Sequence, residues 1–260
     1  SGVTDNGLAF EVATGVGIYT YILHDAYVSD YGNGTITNVS QVTINAVDYN
    51  FDSVFCFLAG TGIATPDGEV PVETLKVGDV VSTADGRSAK VKWVGIQTVV
   101  NSVMTEAKSA PVVVTAVALG SGLPHADLYI SADHGLMIDG LVINAGALVN
   151  HTTIRHVPMA EMPKTFTYYH VETEEHDAIL ANGAAAETFI DYAARKAFDN
   201  CQEYIDHYGA ARIIPEMSQP RISTRRLVPE EIKARLDGGV DWDAMVDDPE
   251  MVVSISRGAA

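Results

Sequence analysis

Cysteine is scarce in this chain, and the two cysteines raise the question of thiol chemistry. Cys56 and Cys201 are the only two among 260 residues. Two thiols cannot build a disulfide framework or a cysteine-rich zinc site, so at least one is interpreted as a reactive thiol. An isolated cysteine is usually a small core residue, and that interpretation is kept for Cys201. Cys56 differs because it opens a strand that runs into a hairpin turn at Pro66-Asp67-Gly68.

The residues around Cys56 begin an ordered series of motifs. Residues 56–68 read CFLAGTGIATPDG, 72–81 read VETLKVGDVV, 131–134 read SADH, and 170–183 read HVETEEHDAILANG. In this order and spacing they resemble the blocks of the Hint domain, which hedgehog autoprocessing domains and inteins share. The resemblance covers about residues 51–195 and is closest to bacterial Hint domains of large, often secreted proteins. It implies an all-β Hint fold of short twisted strands.

The resemblance also implies self-cleavage between Phe55 and Cys56 by a cis-acting cysteine autoprotease that turns over once. A planar, resonance-stabilised amide is a poor electrophile. A cysteine can nevertheless attack the preceding carbonyl through a five-membered ring, because nucleophile and electrophile are held together. The N-to-S acyl shift leaves Phe55 on a thioester, which water or an external thiol or amine can cleave. The thiol must lose a proton, the amide nitrogen must gain one, and the oxyanion must be stabilised.

Two residues of the SADH block receive roles from the same resemblance. His134 is the expected proton donor to the amide nitrogen, because an ordinary pKa of about 6.5 lets imidazole act as acid or base. Ser131 is expected to hydrogen-bond the scissile peptide, although the family usually has threonine there. Asp133 would point to the opposite side of a strand and is not expected to pair with His134. The alternative for His134 is a hydrogen-bonded core histidine.

The late block adds three weaker candidates. His170 lies on the strand that passes beside the nucleophile in the family, and it could deprotonate Cys56 or activate the second nucleophile. His176 and Asp177 could instead orient one another near the turn.

Departures from the family limit the predicted reaction. Glu187-Thr188 stands where a splicing intein carries His-Asn, so splicing is not predicted. Asn200-Cys201 lies too far downstream to replace it. Residues 201–260 are acidic and lack a long apolar face, which argues against a sterol acceptor. The alternative interpretation is an inactive or slow Hint module that serves as a structural or binding domain of a larger secreted protein.

The elements that must position these residues are short strands. Turn signals such as Asp85-Gly86 and Asp139-Gly140 recur between runs of β-branched residues, and no long helical pattern intervenes before residue 183. The predicted strands are 69–72, 79–83, 90–94, 111–115, 128–130, 141–143 and segments of 165–180. Such a pattern is typical of an all-β domain.

The segment before this core predicts a separate β-rich flank. Residues 1–50 contain no Lys or Arg and are rich in Val, Ile, Thr and Tyr. Residues 16–23 and 41–47 predict strands, with a turn at 32–34. Its acidic residues lack the spacing of a calcium loop, so no metal site is predicted.

The segment after the core predicts helices and an acidic tail. Residues 184–206 are rich in alanine, with apolar residues at helical spacing, and Pro229-Glu230-Glu231 is typical of a first helical turn. The predicted organisation is therefore a flank at 1–50, a Hint domain at 51–195 and a partly helical extension at 196–260.

Composition excludes several classes of partner. Apolar residues make up 47% of the chain, enough for a sizeable core, and the net charge of −18 argues against nucleic acid and anionic membranes. No apolar run approaches the roughly 18 residues of a membrane span. The expected substrate is the chain's own upstream polypeptide, with an external nucleophile or partner protein possible, and no cofactor or metal is predicted. The resemblance favours a secreted or cell-surface protein of a bacterium, with a cytoplasmic location as the alternative.

Overall fold

The computed structural model describes residues 8–14, 17–23, 55–101, 109–190, 195–210 and 212–238. The chain divides into two compact units, Ser1–Tyr49 and Asn50–Ala260. In the first unit, β1 (Leu8–Thr14) and β2 (Gly17–Leu23) form an antiparallel hairpin. β2 coincides with the predicted strand at 16–23, whereas the predicted turn at 32–34 and strand at 41–47 lie outside the described residues.

The second unit is dominated by short strands, as the sequence predicts. Its strands are β3 (Phe57–Leu58), β4 (Gly62–Thr65), β5 (Gly68–Pro71), β6 (Val80–Ser82), β7 (Ser88–Lys90), β8 (Trp93–Val100), β9 (Pro111–Val114), β10 (Leu128–Ser131), β11 (Gly135–Ile138), β12 (Leu141–Asn144), β13 (Ile154–His156), β14 (Thr165–Glu172), β15 (Ala178–Ala181), β16 (Ala184–Glu187) and β17 (Arg221–Ile222). Within the described ranges, the α-helices are α1 (Cys201–Tyr208) and α2 (Glu230–Leu236). The all-β prediction is therefore confirmed.

One sheet carries the residues around the nucleophile. Its strand order is β13-β9-β10-β3-β14-β8. Strand β3 lies between β10 and β14, and Phe57 is opposite Ile130 on one side and Tyr169 on the other. Because Cys56 precedes β3, Ser131 ends β10 and His170 follows Tyr169 on β14, strand pairing brings three residues that are distant in sequence to one place.

The other large sheet has the order β17-β12-β11-β16-β15-β4-β5 and corrects one prediction. Residues 184–187 are not the start of an alanine-rich helix but strand β16. Asn182 and Gly183, at φ 46° and 80°, form a two-residue turn that pairs Ala181 with Ala184. Pairing of β16 with both β15 and β11 outweighs the helix propensity of alanine.

The described residues of the C-terminal extension, 196–210 and 212–238, pack on the core. Helix α2 begins directly after Pro229, as predicted, and buries Ile232 and Leu236. Strand β17 adds in parallel to β12. The buried carboxylate of Glu172, at the end of β14, accepts hydrogen bonds from Arg195 and Arg212 and thereby fastens this segment to the sheet.

Candidate active site

Ser131 forms hydrogen bonds with both backbone polar groups of Cys56, its N–H and its carbonyl. The backbone N–H of Cys56 donates to Ser131 Oγ at 2.8 Å, and the Ser131 N–H donates to the Cys56 carbonyl at 2.9 Å. The first of these bonds involves the nitrogen of the Phe55–Cys56 amide. Ser131 therefore contacts the atom that would leave if this bond were cleaved by an acyl shift.

The side chain of Cys56 is fully buried. It packs in a group formed with Trp93, Phe166, Tyr168, Phe189, Phe198, Tyr204 and Ile214. Burial in this apolar group raises the pKa of the thiol well above its ordinary value. The sulfur is therefore a protonated thiol at neutral pH, and attack on a carbonyl requires a group that takes its proton.

His134 has a free lone pair close to this peptide unit. Its backbone N–H donates to the Ser131 carbonyl at 3.1 Å, and its ring packs 4.3 Å from the Phe57 ring. Nε2 lies 3.1 Å from the Glu187 carbonyl, which can only accept, so Nε2 carries the proton in the neutral ring. Nδ1 is buried without a hydrogen-bond partner among the described residues.

The electrostatics of His134 favour the neutral form. Burial lowers its pKa to about 4, against the opposing influence of the Glu187 charge and of the Glu187 and Cys56 carbonyls. A neutral imidazole with an unprotonated Nδ1 can accept the thiol proton and return it to a nearby nitrogen.

His170 lies next to His134 in an aromatic setting. Its ring is 5.4 Å from that of His134 and 5.3 Å from that of Phe189, and it stacks on Phe198 at 6.3 Å. Both ring nitrogens are buried without a hydrogen-bond partner in the described part of the chain. Burial, and secondarily the neighbouring His134, lowers its pKa well below the ordinary value, so this ring is also neutral.

His176 and Asp177 do not orient one another, which corrects the sequence expectation. His176 Nδ1 accepts from the Met217 N–H at 3.1 Å, so Nε2 carries the proton and donates to Glu187 Oε2 at 3.0 Å. Asp177 instead accepts from Arg87 at 2.8 Å. Neighbouring residues in an extended segment point to opposite sides, and the two side chains therefore find different partners.

Glu187 is the residue whose importance sequence reasoning missed. Its buried carboxylate accepts from the Gly135 N–H at 2.6 Å, from His176 and from Arg221, while its carbonyl fixes the His134 ring. Burial alone would raise its pKa, but the hydrogen bonds from His176 and Arg221 hold it well below the ordinary range. In the sequence it stood out only as a departure from the intein His-Asn pair, and nothing there connected it with Arg221.

Ligand-forming side chains of the described residues do not cluster as a metal centre. No group of three or more His, Cys, Asp or Glu side chains in the described ranges could hold a metal ion. The His176 and Glu187 side chains near the site are paired with each other. None of the described helices is long and apolar enough to cross a membrane.

The two buried neutral histidines predict destabilisation by mild acid. A histidine whose pKa is lower in the folded chain than the unfolded value of about 6.5 stabilises the fold above pH 6.5 and loses that contribution as pH falls toward the folded pKa. The free energy of unfolding should therefore decrease between pH 7.5 and 5 by up to about 1.4 kcal/mol per pH unit for each of His134 and His170. Urea unfolding at both pH values measures this.

The histidines and the buried carboxylate of Glu187 change the stability of the fold in different pH ranges. The lowered pKa of Glu187 stabilises the fold above about pH 4.5, and this contribution is lost only below that value. His134→Gln should reduce the pH dependence, whereas His207→Gln, at an exposed position, serves as the control. A pH-independent stability of the parent from 7.5 to 5 would contradict burial of the two rings in neutral form.

Comparison with known proteins identifies the family. The Hint domain family matches residues 55–193. Solved structures similar to this chain include an intein-like domain from Clostridium thermocellum, with 17% identity and a TM-score of 0.39, covering 53% of this chain and 100% of that one. The MchDnaB-1 intein is 14% identical at a TM-score of 0.36, over 51% and 99% of the two chains. A zinc-bound Msm DnaB1 intein splicing domain is 18% identical at 0.37, over 51% and 99%. No curated protein matches the chain significantly.

Proposed function

We propose that this chain, as a member of the Hint domain family, cleaves itself between Phe55 and Cys56. Autoprocessing in this family acts on the polypeptide that contains the domain. The reaction is an N-to-S acyl shift followed by attack of water or of an external thiol or amine. Splicing is not part of it. The processed protein is proposed to be a secreted or cell-surface protein of a bacterium.

The first step moves one acyl group and one proton. Sγ of Cys56 attacks the carbonyl carbon of Phe55 through a five-membered ring and forms the C–S bond of a tetrahedral oxyanion. Collapse of this oxyanion breaks the C–N bond. The thiol proton passes to Nδ1 of His134 and from there to the departing nitrogen of Cys56. The product is a thioester at Phe55 and a free amine at Cys56. Water or an external thiol or amine then takes the acyl group, which releases the upstream polypeptide ending at Phe55 and regenerates the Cys56 thiol.

The observation that carries the proposal is the hydrogen bonding around the Cys56 peptide. Ser131 Oγ accepts from the amide nitrogen that must leave, and His134, three residues further on, has an unprotonated Nδ1 without a partner among the described residues. A hydrogen bond to that nitrogen fixes the peptide plane, and the neutral ring can accept the proton of a buried thiol. Both features suit an acyl shift at this bond.

The absence of splicing is supported by two bound side chains. Glu187, where splicing inteins carry His-Asn, is engaged with Arg221, His176 and Gly135. Asn200 is equally engaged, because its side chain donates to the Val94 carbonyl at 2.9 Å. An asparagine whose side chain is held by backbone groups is poorly placed to cyclise.

A second candidate function is favoured by the closure of the site. The Cys56 side chain is 0% exposed, and its thiol pKa is raised. If the thiol never reacts, the chain is an inert Hint module that serves as a structural or binding domain. A buried thiol of raised pKa thus suits either a slow first step or no reaction.

Intact-mass measurement of the purified chain separates the two candidates. The chain is incubated at neutral pH alone, with dithiothreitol and with hydroxylamine. The proposed function predicts two fragments whose yield rises with the nucleophile, since a thioester is far more electrophilic than an amide. A single intact mass under all three conditions over days would identify the inert module.

A further inference from the structure

Arg221 is supplied to the site by the C-terminal extension, outside the residues that match the family. It lies on β17, opposite Val142 of β12 in a parallel pair. Its guanidinium donates to the Glu187 carboxylate and to Asn144 Oδ1 at 3.1 Å, and its Nε donates to Glu216 at 3.3 Å. These contacts fix the side chain within the second sheet.

The same guanidinium faces the residue on the acyl side of the scissile bond. Its central carbon lies 5.9 Å from the centroid of the Phe55 ring. A guanidinium at this distance from an aromatic face is attracted by the ring quadrupole, and more strongly where water is excluded. Phe55 is 8% exposed, so the contact is shielded from solvent.

We infer that Arg221 is a positioning and specificity-determining residue that selects an aromatic side chain immediately before Cys56. This inference rests on the proposed cleavage. The covalent bond between Phe55 and Cys56 guarantees proximity of thiol and carbonyl but not their orientation. An anchored Phe55 ring limits rotation about the backbone single bonds of Phe55 and thereby keeps one carbonyl face toward the sulfur.

Arg221 also connects this anchor to the proton-transfer group. Glu187 accepts from Arg221 through its side chain and holds His134 through its carbonyl. One buried ion pair, Arg221–Glu187, therefore positions both the Phe55 side chain and the His134 ring. Lysine would preserve the charge but not the planar fork that reaches Glu187, Asn144 and the Phe55 ring together.

The test compares cleavage rates across substitutions at position 55. In the parent, Phe55→Tyr should cleave at nearly the parent rate with hydroxylamine, and Phe55→Leu about tenfold more slowly. In the double variant Glu187→Gln/Arg221→Gln, which removes both charges together, the ratio of the rate with phenylalanine to the rate with leucine should fall to about twofold or less. A purely structural role of Arg221 would lower every rate and leave the ratio unchanged.

Arg221→Lys provides an independent arm if the double variant does not fold. It keeps the charge opposite Glu187 and should reduce the tenfold ratio to about threefold or less. A ratio that stays near ten in Arg221→Lys, or a Phe55→Leu variant that cleaves as fast as the parent, overturns the inference while leaving the proposed cleavage intact. Absence of cleavage in the parent overturns both.

Discussion

Cys56→Ala is expected to release no fragment ending at Phe55, whether thiol or hydroxylamine is present. Without the sulfur there is no intramolecular nucleophile within a five-membered ring of the Phe55 carbonyl, and the amide keeps its resonance stabilisation. The loss should reach the detection limit of a gel or mass spectrum. Time courses of fragment yield over several days provide the measurement.

Cys201→Ala is the matched control for this variant. Cys201 is half-buried at the start of α1 and has no role in the proposed step. Its substitution should leave fragment yield and rate at the parent values. An equal fragment yield from Cys56→Ala and the parent would rule out the thiol as the nucleophile.

His134→Ala is expected to have the next largest effect, a slowing of about 10²–10⁴-fold. Breaking the C–N bond requires a proton on the departing nitrogen, and the proposed carrier of that proton is Nδ1 of His134, which has no hydrogen-bond partner among the described residues. Higher pH produces more thiolate and can partly compensate for a missing base, but it cannot supply the proton. Single-turnover time courses at pH 6.5 and 8.5 should show the deficit at both values.

The cleavage rates of Ser131→Ala and His170→Ala are compared with that of His134→Ala. Ser131→Ala removes the acceptor for the Cys56 N–H and should slow cleavage less, because a positioning bond does not transfer the proton. His170→Ala should also cost less than His134→Ala. If His134→Ala cleaves like the parent at both pH values, His134 is a structural residue in this chain and the proposed proton transfer through its ring is wrong.

The features that the sequence predicted correctly are determined by short local patterns. The hairpin turn at Pro66-Asp67-Gly68, the Asp139-Gly140 turn and the Pro229 helix start are features of a few neighbouring residues, and the structure contains all three. Placement of Ser131 near Cys56 was also expected, because the family resemblance joins the two blocks.

The features that the sequence did not predict depend on pairing between separate strands. Residues 184–187 become a strand because β11 and β15 pair with them on either side. Glu187 and Arg221 are 34 residues apart, and only the addition of β17 to β12 places the arginine opposite the buried carboxylate. His176 lies beside the same carboxylate because β15 pairs with β16, which places Ala178 opposite Glu187.

The most direct measurement is the chemical identity of the new carboxyl end formed in hydroxylamine. Tandem mass spectrometry of the released N-terminal fragment is expected to find a hydroxamate on Phe55, together with a second fragment that begins with a free amine at Cys56. Hydroxylamine takes the acyl group from a thioester, so this pair of ends records the acyl shift itself. A fragment that ends at another residue, or a hydroxamate on Phe55 that forms equally in Cys56→Ala, would contradict cleavage through a Cys56 thioester.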